Sequence, residues 1–493
     1  MLSSVGGIMF SLRSSALAAL AAAVLVFSGA AQVPVAGAPM LDPVVVACKQ
    51  DAIRPATFER NGVPLSNAPV ASGDYFSFPN RTAAERGAIM NRVVNTINST
   101  WGTRYSPELQ DQPVGCTYPD GTVDPDGKYT ARWVKAQGSI KMATWSFNHG
   151  GVKNALINAE KRGVRVQIIA AYSVNKYGVK GVGMNLNWRD VRNYLRTYGK
   201  DTGSYAYECS GACRGAGGTS HSKYFLFNDA GSSHLSDIVV QSSMNLTPFA
   251  VAGQWNQATV MRNADVYDDF SLIFAQSALR TGKGYYARQR GYVTNIFFPK
   301  GGAPDPVLAA LSRVRCAGGT RIRAINYAVH GTRGNAIAKK LRGLWNAGCN
   351  VRFIYSVSSR PVLGILRARS GRGPVPVKQS VIKNRRGEIV KYNHSKWLAI
   401  AGNHAGSGPA WMVHSGSANW SNIAYTSDEQ MQNVGSSTRA GRYFSAFDKT
   451  WNQSSSKTPR LGRVYVAGRL LPGTPEQPTY GSGMYRYLTP YGG

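Results

Sequence analysis

The chain repeats its own order of elements, and that repetition constrains the fold more than any single motif. From Gly138 it reads GSIKMATWSFNHG, then VKNALINAEKRG, then VRVQIIAAYS; from Gly319 it reads GTRIRAINYAVHG, then NAIAKKLRGLWNAG, then CNVRFIYSV. Each copy is a β-branched and aromatic run ending in His-Gly, an amphipathic helical stretch closed by Gly, and a second strand. Ala155, Leu156 and Ala159 make the apolar stripe of one helix, and Ile337, Leu341 and Leu344 that of the other. Both copies then pass through a long loop to a third strand, HSKYFLFND from His221 and HSKWLAIAG from His394. So many features in one order predict an internal duplication, and helices between strands predict two pseudo-symmetric α/β/α layered halves.

The first half is expected over 129–278 and the second over 293–451. An N-terminal extension, 39–126, holds one helix candidate at 82–100, and a Gly/Pro/Tyr-rich tail covers 458–493. The Pro/Gly/basic stretch 370–391 reads as a loop before the second HSK strand. With 43% hydrophobic and 17% charged residues the chain is not of the disordered class. Arg13, the apolar run 16–27 and the small residues 28–31 predict a signal peptide over 1–31. That run is shorter than the ~20 residues a spanning helix needs, although a retained anchor is the alternative. Six cysteines then favour disulfides, by proximity Cys48 with Cys116, Cys209 with Cys213 and Cys316 with Cys349. A zinc site of Cys209, Cys213 and His221 is the other option, but its spacing is unfamiliar and a fourth ligand is missing. The formal charge of +32, from 57 Lys and Arg against 25 Asp and Glu, calls for polyanionic partners: nucleic acid, anionic lipid or another phosphate polymer.

Each HSK is followed, 24 and 25 residues after its histidine, by the Asn of a Ser-x-Asn: Ser243 and Asn245 in one copy, Ser417 and Asn419 in the other. Duplicated His-x-Lys with a later Ser-x-Asn resembles the phospholipase D superfamily, whose signature is H-x-K-x4-D followed by G-S-x-N, and the resemblance runs from about 138 to 431. It implies that both His-Lys pairs meet in one cleft on a pseudo-two-fold axis, with His221 as nucleophile and His394 as general acid. It also implies an acidic group past each Asn that orients the opposite histidine: Glu429 or Asp428 in the second half, with only Asn256 or Gln257 available in the first. The sequence departs from the signature at Asn228, with Asp229 one residue late, at Ala401, and at Ser242, where the first Gly of G-S would stand.

The chemistry explains why such residues recur. A phosphodiester needs both a nucleophile and a proton for a poor leaving group, and imidazole with a pKa of ~6.5 supplies either. Lys223 and Lys396 would neutralise the phosphoryl oxygens, while Asn245, Asn419, Ser243 and Ser417 would bond them. This scheme requires no metal or other cofactor. The expected function is a secreted, monomeric, metal-independent phosphodiesterase, foremost a phospholipase D working at a phospholipid membrane surface by hydrolysis or transfer. An extracellular nuclease on the same frame and an anionic-polymer-binding protein are the alternatives. Among the other histidines, His149 and His330 would line the cleft or cap turns, His414 would pack in a strand, and His234 and His404 would lie in loops.

Overall fold

The computed structural model describes residues 46–47, 65–66, 70–110, 116–117, 130–176, 185–281, 284–383, 385, 389–404, 407–454, 464–466 and 469–471. The expected signal peptide, Cys48 with its pairing to Cys116, and most of the 458–493 tail lie outside the described residues. The chain divides into two units. In the smaller, 1–48 with 110–130, the strands Val46–Ala47 and Cys116–Thr117 pair in parallel. Everything below concerns the larger unit.

Two mixed sheets organise it. The first runs, in hydrogen-bonded order, Val381–Lys383, Ile389–Asn393, Gln254–Arg262, Ile238–Ser242, Tyr224–Asn228, Ser139–Thr144, Arg165–Ala171 and Tyr205–Cys209. The second runs Tyr286–Arg290, Val293–Phe297, Gln430–Val434, Ser407–Gly416, Lys396–His404, Arg321–Val329, Asn350–Ser358 and Val377–Gln379. The duplicated strand-helix-strand units form the parallel pairs Ser139–Thr144 with Arg165–Ala171 and Arg321–Val329 with Asn350–Ser358. In each sheet the HSK strand adds antiparallel to the first strand of its pair.

Helices cover both faces of each sheet, as the alternating pattern requires. Gly150–Lys161 buries Val152, Ala155, Leu156 and Ala159 against Ile140, Val166 and Ile168, and Leu186–Tyr198 adds Trp188, Val191 and Leu195. Ala264–Ala278 packs Phe270, Ile273 and Phe274 on the opposite face. The second half repeats this, with Gly331–Asn346 and Arg360–Arg367 on one face and Tyr443, Phe444 and Phe447 of Ser437–Gln453 on the other. Each side chain fully buried this way stabilises by roughly 1.5–3 kcal/mol.

Two segments differ from expectation. Residues 73–98 of the N-terminal extension join the first half: Gly73–Ser77 pairs with Gln254–Arg262, and the helix expected at 82–100 runs Ala83–Asn98. Thr82 and Glu85 form its capping box, and Ile89, Met90, Val93 and Ile97 enter the core. The stretch 370–391 carries strands where a loop was expected. Val377–Gln379 joins the second sheet, whereas Val381–Lys383 and Ile389–Asn393 cross to the first, with Tyr392 opposite Gln254 and Asn393 opposite Trp255. Prolines and basic residues hide a strand signal that rests on Val377, Val381, Ile382 and Ile389.

Cys209–Cys213 and Cys316–Cys349 are disulfides, which removes the thiolates a zinc site would need. Among the described residues no helix is long and apolar enough to cross a membrane.

Candidate active site

Each HSK tripeptide leads into a central strand, so its backbone is fixed by ladders on both sides. Ile238–Ser242 and Ser407–Gly416 run back beside these strands and end at the Ser-x-Asn turns. Gln254–Arg262 and Gln430–Val434 follow, carrying Asn256 and Gln257 in one half and placing Glu429 and Gln430 at the equivalent position in the other.

The halves interlock through these last residues. Gln430 accepts from the Lys223 backbone N–H at 2.9 Å and donates to the carbonyls of Lys223 and Ser242, both at 3.0 Å. Gln257 does the same to the other half, accepting from the Lys396 N–H at 3.1 Å and donating to the carbonyls of Lys396 at 3.3 Å and Gly416 at 2.9 Å. One step earlier in each strand the orienting groups differ. His221 Nδ1 lies 2.9 Å from both oxygens of Glu429, whereas His394 Nδ1 lies 3.1 Å from Asn256 Oδ1. Ser417 Oγ donates to Glu429 and Ser243 Oγ donates to Asn256 Oδ1 at 2.9 Å, so these hydroxyls, expected to bond a phosphate, brace the orienting groups. Both lysine ammonium groups bend back to the carbonyl of their own histidine, at 2.5 Å.

His221, Lys223, His394, Lys396, Asn245 and Asn419 are all buried. An aromatic ring flanks each pair. Trp145 lies edge-on to His221 with centroids 5.6 Å apart and 5.8 Å from Lys223 Nζ; Tyr327 lies 4.9 Å from the His394 ring and 4.9 Å from Lys396 Nζ. In this dry surround the charged forms are disfavoured. Burial brings Lys223 down to about 7, opposed by Glu429. Lys396 falls well below the usual lysine range through burial and then Lys223. Burial and the two lysines hold both histidines well below their ordinary value, and burial lifts Glu429 to about 7 against the pull of Lys223. The cross-half bonds of Glu429 and Gln430 to His221 and Lys223, and of Asn256 and Gln257 to His394 and Lys396, bring both His-Lys pairs to one seam. A phosphate oxyanion arriving there supplies the missing counter-charge.

Of the two acidic candidates only Glu429 orients a histidine. Asp428 instead accepts from the backbone N–H groups of Cys213 at 2.5 Å and Arg214 at 3.1 Å, while its own backbone pairs with Ser220. It staples the disulfide turn before His221 to the second half, and burial raises it to about 6. His149 caps a helix, accepting from the Val152 N–H at 3.3 Å. His330 stands at the corresponding position but makes no cap bond with its side chain, and burial takes it down to about 4. His414 is a buried strand residue beside Met412 Sδ, and His234 sits in a turn against Asp229. His404 is no loop residue: it ends Lys396–His404, buried, with Nε2 at 3.2 Å from the Ala310 carbonyl. Among the described residues no cluster of His, Cys, Asp or Glu could hold a metal ion.

A family model described as "Cardiolipin synthase, PLD-like domain" matches residues 130–278, and the second half repeats the same ladder and the same site residues. The first half thus matches a PLD-like domain, in line with the resemblance that the duplicated His-x-Lys and Ser-x-Asn carry. No curated protein matches it by sequence. Among solved structures it is similar to the polyphosphate kinase of Porphyromonas gingivalis, at 12% identity and TM-score 0.47, covering 77% of this chain and 50% of that one. It thus spans about half the length of that kinase. It is also similar to the phosphatidylserine synthase of Haemophilus influenzae Rd KW20, at 10% identity and TM-score 0.47, covering 77% of this chain and 85% of that one. Nuc from Salmonella typhimurium, a phospholipase D family member, aligns at 19% identity and TM-score 0.25 over 33% of this chain and 95% of its own.

The strand ladders place the two positions at which the signature has aspartate. Asn228 pairs with Ser139 and Ala401 with Arg321, each at the far end of its strand from Lys223 or Lys396. Five residues of extended strand separate each from its lysine, about 17 Å, so neither substitution touches the catalytic groups. The residues not anticipated are Gln430, Trp145 and Tyr327. Gln430 had a signal: the dipeptides Asn256-Gln257 and Glu429-Gln430 sit at matching places in the duplication.

Proposed function

We propose that the chain is an exported, metal-independent phosphodiesterase, most specifically a phospholipase D that acts on glycerophospholipids through a phosphohistidine on His221. The asymmetry between the two histidines carries this reading: a carboxylate backs His221 and a neutral amide backs His394. A carboxylate on Nδ1 fixes the proton there, leaves the electron pair of Nε2 for attack, and balances the charge once Nε2 is bonded to phosphorus. His221 Nε2 attacks phosphorus, the bond to the headgroup oxygen breaks, and that oxygen takes the proton of His394 Nε2. Neutral His394 then takes a proton from water or an alcohol, whose oxygen attacks phosphorus as the P–N bond breaks and its electron pair returns to His221. Lys223, Lys396, Asn245 and Asn419 hold the non-bridging oxygens through both steps. Both halves of the site reside in one chain, which suits a monomer. Export is supported by the apolar run at 16–27 and by the two disulfides.

The +32 charge favours a second reading, an extracellular nuclease with the same chemistry. One experiment separates them: purified protein in EDTA is offered phosphatidylcholine vesicles and plasmid DNA, beside His221→Ala and His394→Ala. Headgroup release that survives EDTA and is lost in both variants supports the phospholipase. DNA cleavage with that dependence supports the nuclease, and silence on both substrates sinks the enzyme reading.

A further inference from the structure

The halves differ sharply at one place that the chemistry above does not use. In the first half, the end of the parallel pair is saturated with internal hydrogen bonds. Asn175 accepts from the Phe147 N–H at 2.9 Å and donates to the carbonyls of Trp145 at 2.9 Å and Ala171 at 2.7 Å. Asn185 donates to Asn175 at 2.8 Å and to Ser146 at 3.2 Å, and His149 closes the helix N-terminus.

The second half satisfies the equivalent place only in part, with Asn422 Oδ1 on the Arg333 N–H and Asn326 Oδ1 on the Ala328 and Trp420 N–H groups. Helices Gly331–Asn346 and Arg360–Arg367 start side by side, from His330 and Ser359, and neither residue makes a side-chain cap bond. Val329 lies between them: its ladder partner is Ser358, the Ser359 N–H donates to its carbonyl at 3.1 Å, and it bridges on its other side to Trp420. Ser358 and Ser359 therefore flank one side of the first turn of Gly331–Asn346, and Ser421 the other. The hydroxyls of Ser358, Ser359 and Ser421 and one terminal nitrogen of Arg333 have no hydrogen-bond partner among the described residues. Ser358 is 6% exposed, Ser421 0% and Arg333 1%. Buried polar groups left without partners are costly, and a fold sustains them where a ligand satisfies them.

Asn422 Oδ1 accepts from the Arg333 N–H at 2.9 Å, and the rest of the place is three hydroxyls, a guanidinium and the N-terminus of Arg360–Arg367. The nearby carboxylate, Asp305, is already engaged by Arg333 Nε at 2.7 Å. The other end of that guanidinium donates to the carbonyl of catalytic Asn419 at 2.7 Å, so the place adjoins the phosphoryl site. We propose that Ser358, Ser359, Ser421 and Arg333 form a subsite for a second phosphate group, one that the substrate carries beside the phosphodiester to be cleaved. The subsite deepens the phosphodiesterase reading and rests on it for its place in turnover.

Two measurements test it, one of which needs no turnover. Calorimetric titration of the full chain with inorganic phosphate should give two equivalents bound, and one in Ser358→Ala/Ser421→Ala with an unchanged melting temperature. A single equivalent in both proteins, or two in both, overturns the subsite; an adventitious ion only is the reading if the second equivalent binds weaker than 10 mM. In turnover, phosphatidylglycerol phosphate is compared with phosphatidylglycerol, and the dinucleotide pTpT with TpT, which separates a lipid from a nucleotide source. The phosphorylated member of one pair should be favoured at least tenfold in kcat/KM, and the ratio should fall near one in the double variant. A ratio near one in the wild type, or one that survives the substitutions, contradicts the proposal. Loss of all turnover with the two equivalents retained sinks the phosphodiesterase reading and leaves the subsite standing.

Discussion

Lys223 is buried with its ammonium turned to a backbone carbonyl, an arrangement that chemistry explains better than stability does. Its pKa in the fold, about 7, lies below the 10.5 of an exposed lysine. Between those values the unfolded chain holds one proton more, so stability rises with pH across that window and the cost is fully present at and below pH 7. At about 1.4 kcal/mol per unit that cost is on the order of 5 kcal/mol. Lys223→Met should therefore abolish turnover while raising the melting temperature, most at pH 6–7 and little near pH 10; equal or lower melting temperature at pH 6 would count against the assignment. Asn256 allows a second test. Burial and the two lysines hold His394 low, with only an amide behind it to oppose them, and its loss as an acid should bring kcat down on the alkaline side at a low pH. Asn256→Asp gives the ring a carboxylate, raising its pKa, so the alkaline limb should move up by at least one unit; a pH profile that does not move denies His394 the acid role.

At the scale of elements, the strands explain both what could be read from sequence and what could not. The HSK and Ser-x-Asn positions are local: a histidine and lysine entering one strand and a turn at the end of the next keep fixed spacing whatever surrounds them, so His221, Lys223, His394, Lys396, Asn245 and Asn419 were legible. Helix Ala83–Asn98 was legible for the same reason, from its cap and stripe. The crossing of Ile389–Asn393 to the other sheet was not, since strand register is a long-range choice that a Pro/Gly/basic composition conceals. The choice between Asp428 and Glu429 was likewise settled by which side chain reaches across the halves, a matter of tertiary packing. The register also decides the significance of Ala401 and Asn228, distant along their strands from the lysines. Asn228→Asp should leave kcat within threefold; a loss of tenfold or more, with the melting temperature kept, would mean that this position does reach the site.

At the scale of the whole molecule, neither half is complete alone. Glu429 orients His221, Asn256 orients His394, and Gln257 and Gln430 clamp the opposite HSK strands, so each catalytic histidine takes its geometry from the other half. Ile389–Asn393 and the Asp428 staple add backbone ties in both directions. A fragment holding 70–281 should be inactive, and activity should return when it is produced together with 284–454; a fragment active alone would show that the shared site is dispensable.

The central claim, that His221 takes the phosphoryl group while His394 moves protons, is tested most directly by trapping the intermediate. His394→Ala should still attack a p-nitrophenyl phosphodiester, whose leaving group needs no proton, but should lack the base to release the product. Mass spectrometry at alkaline pH, where phosphohistidine survives, should then find the phosphoryl substituent on the tryptic peptide 215–223, which carries His221. The substituent on peptide 392–396, which spans position 394, or on neither peptide while p-nitrophenol is released, would contradict the account.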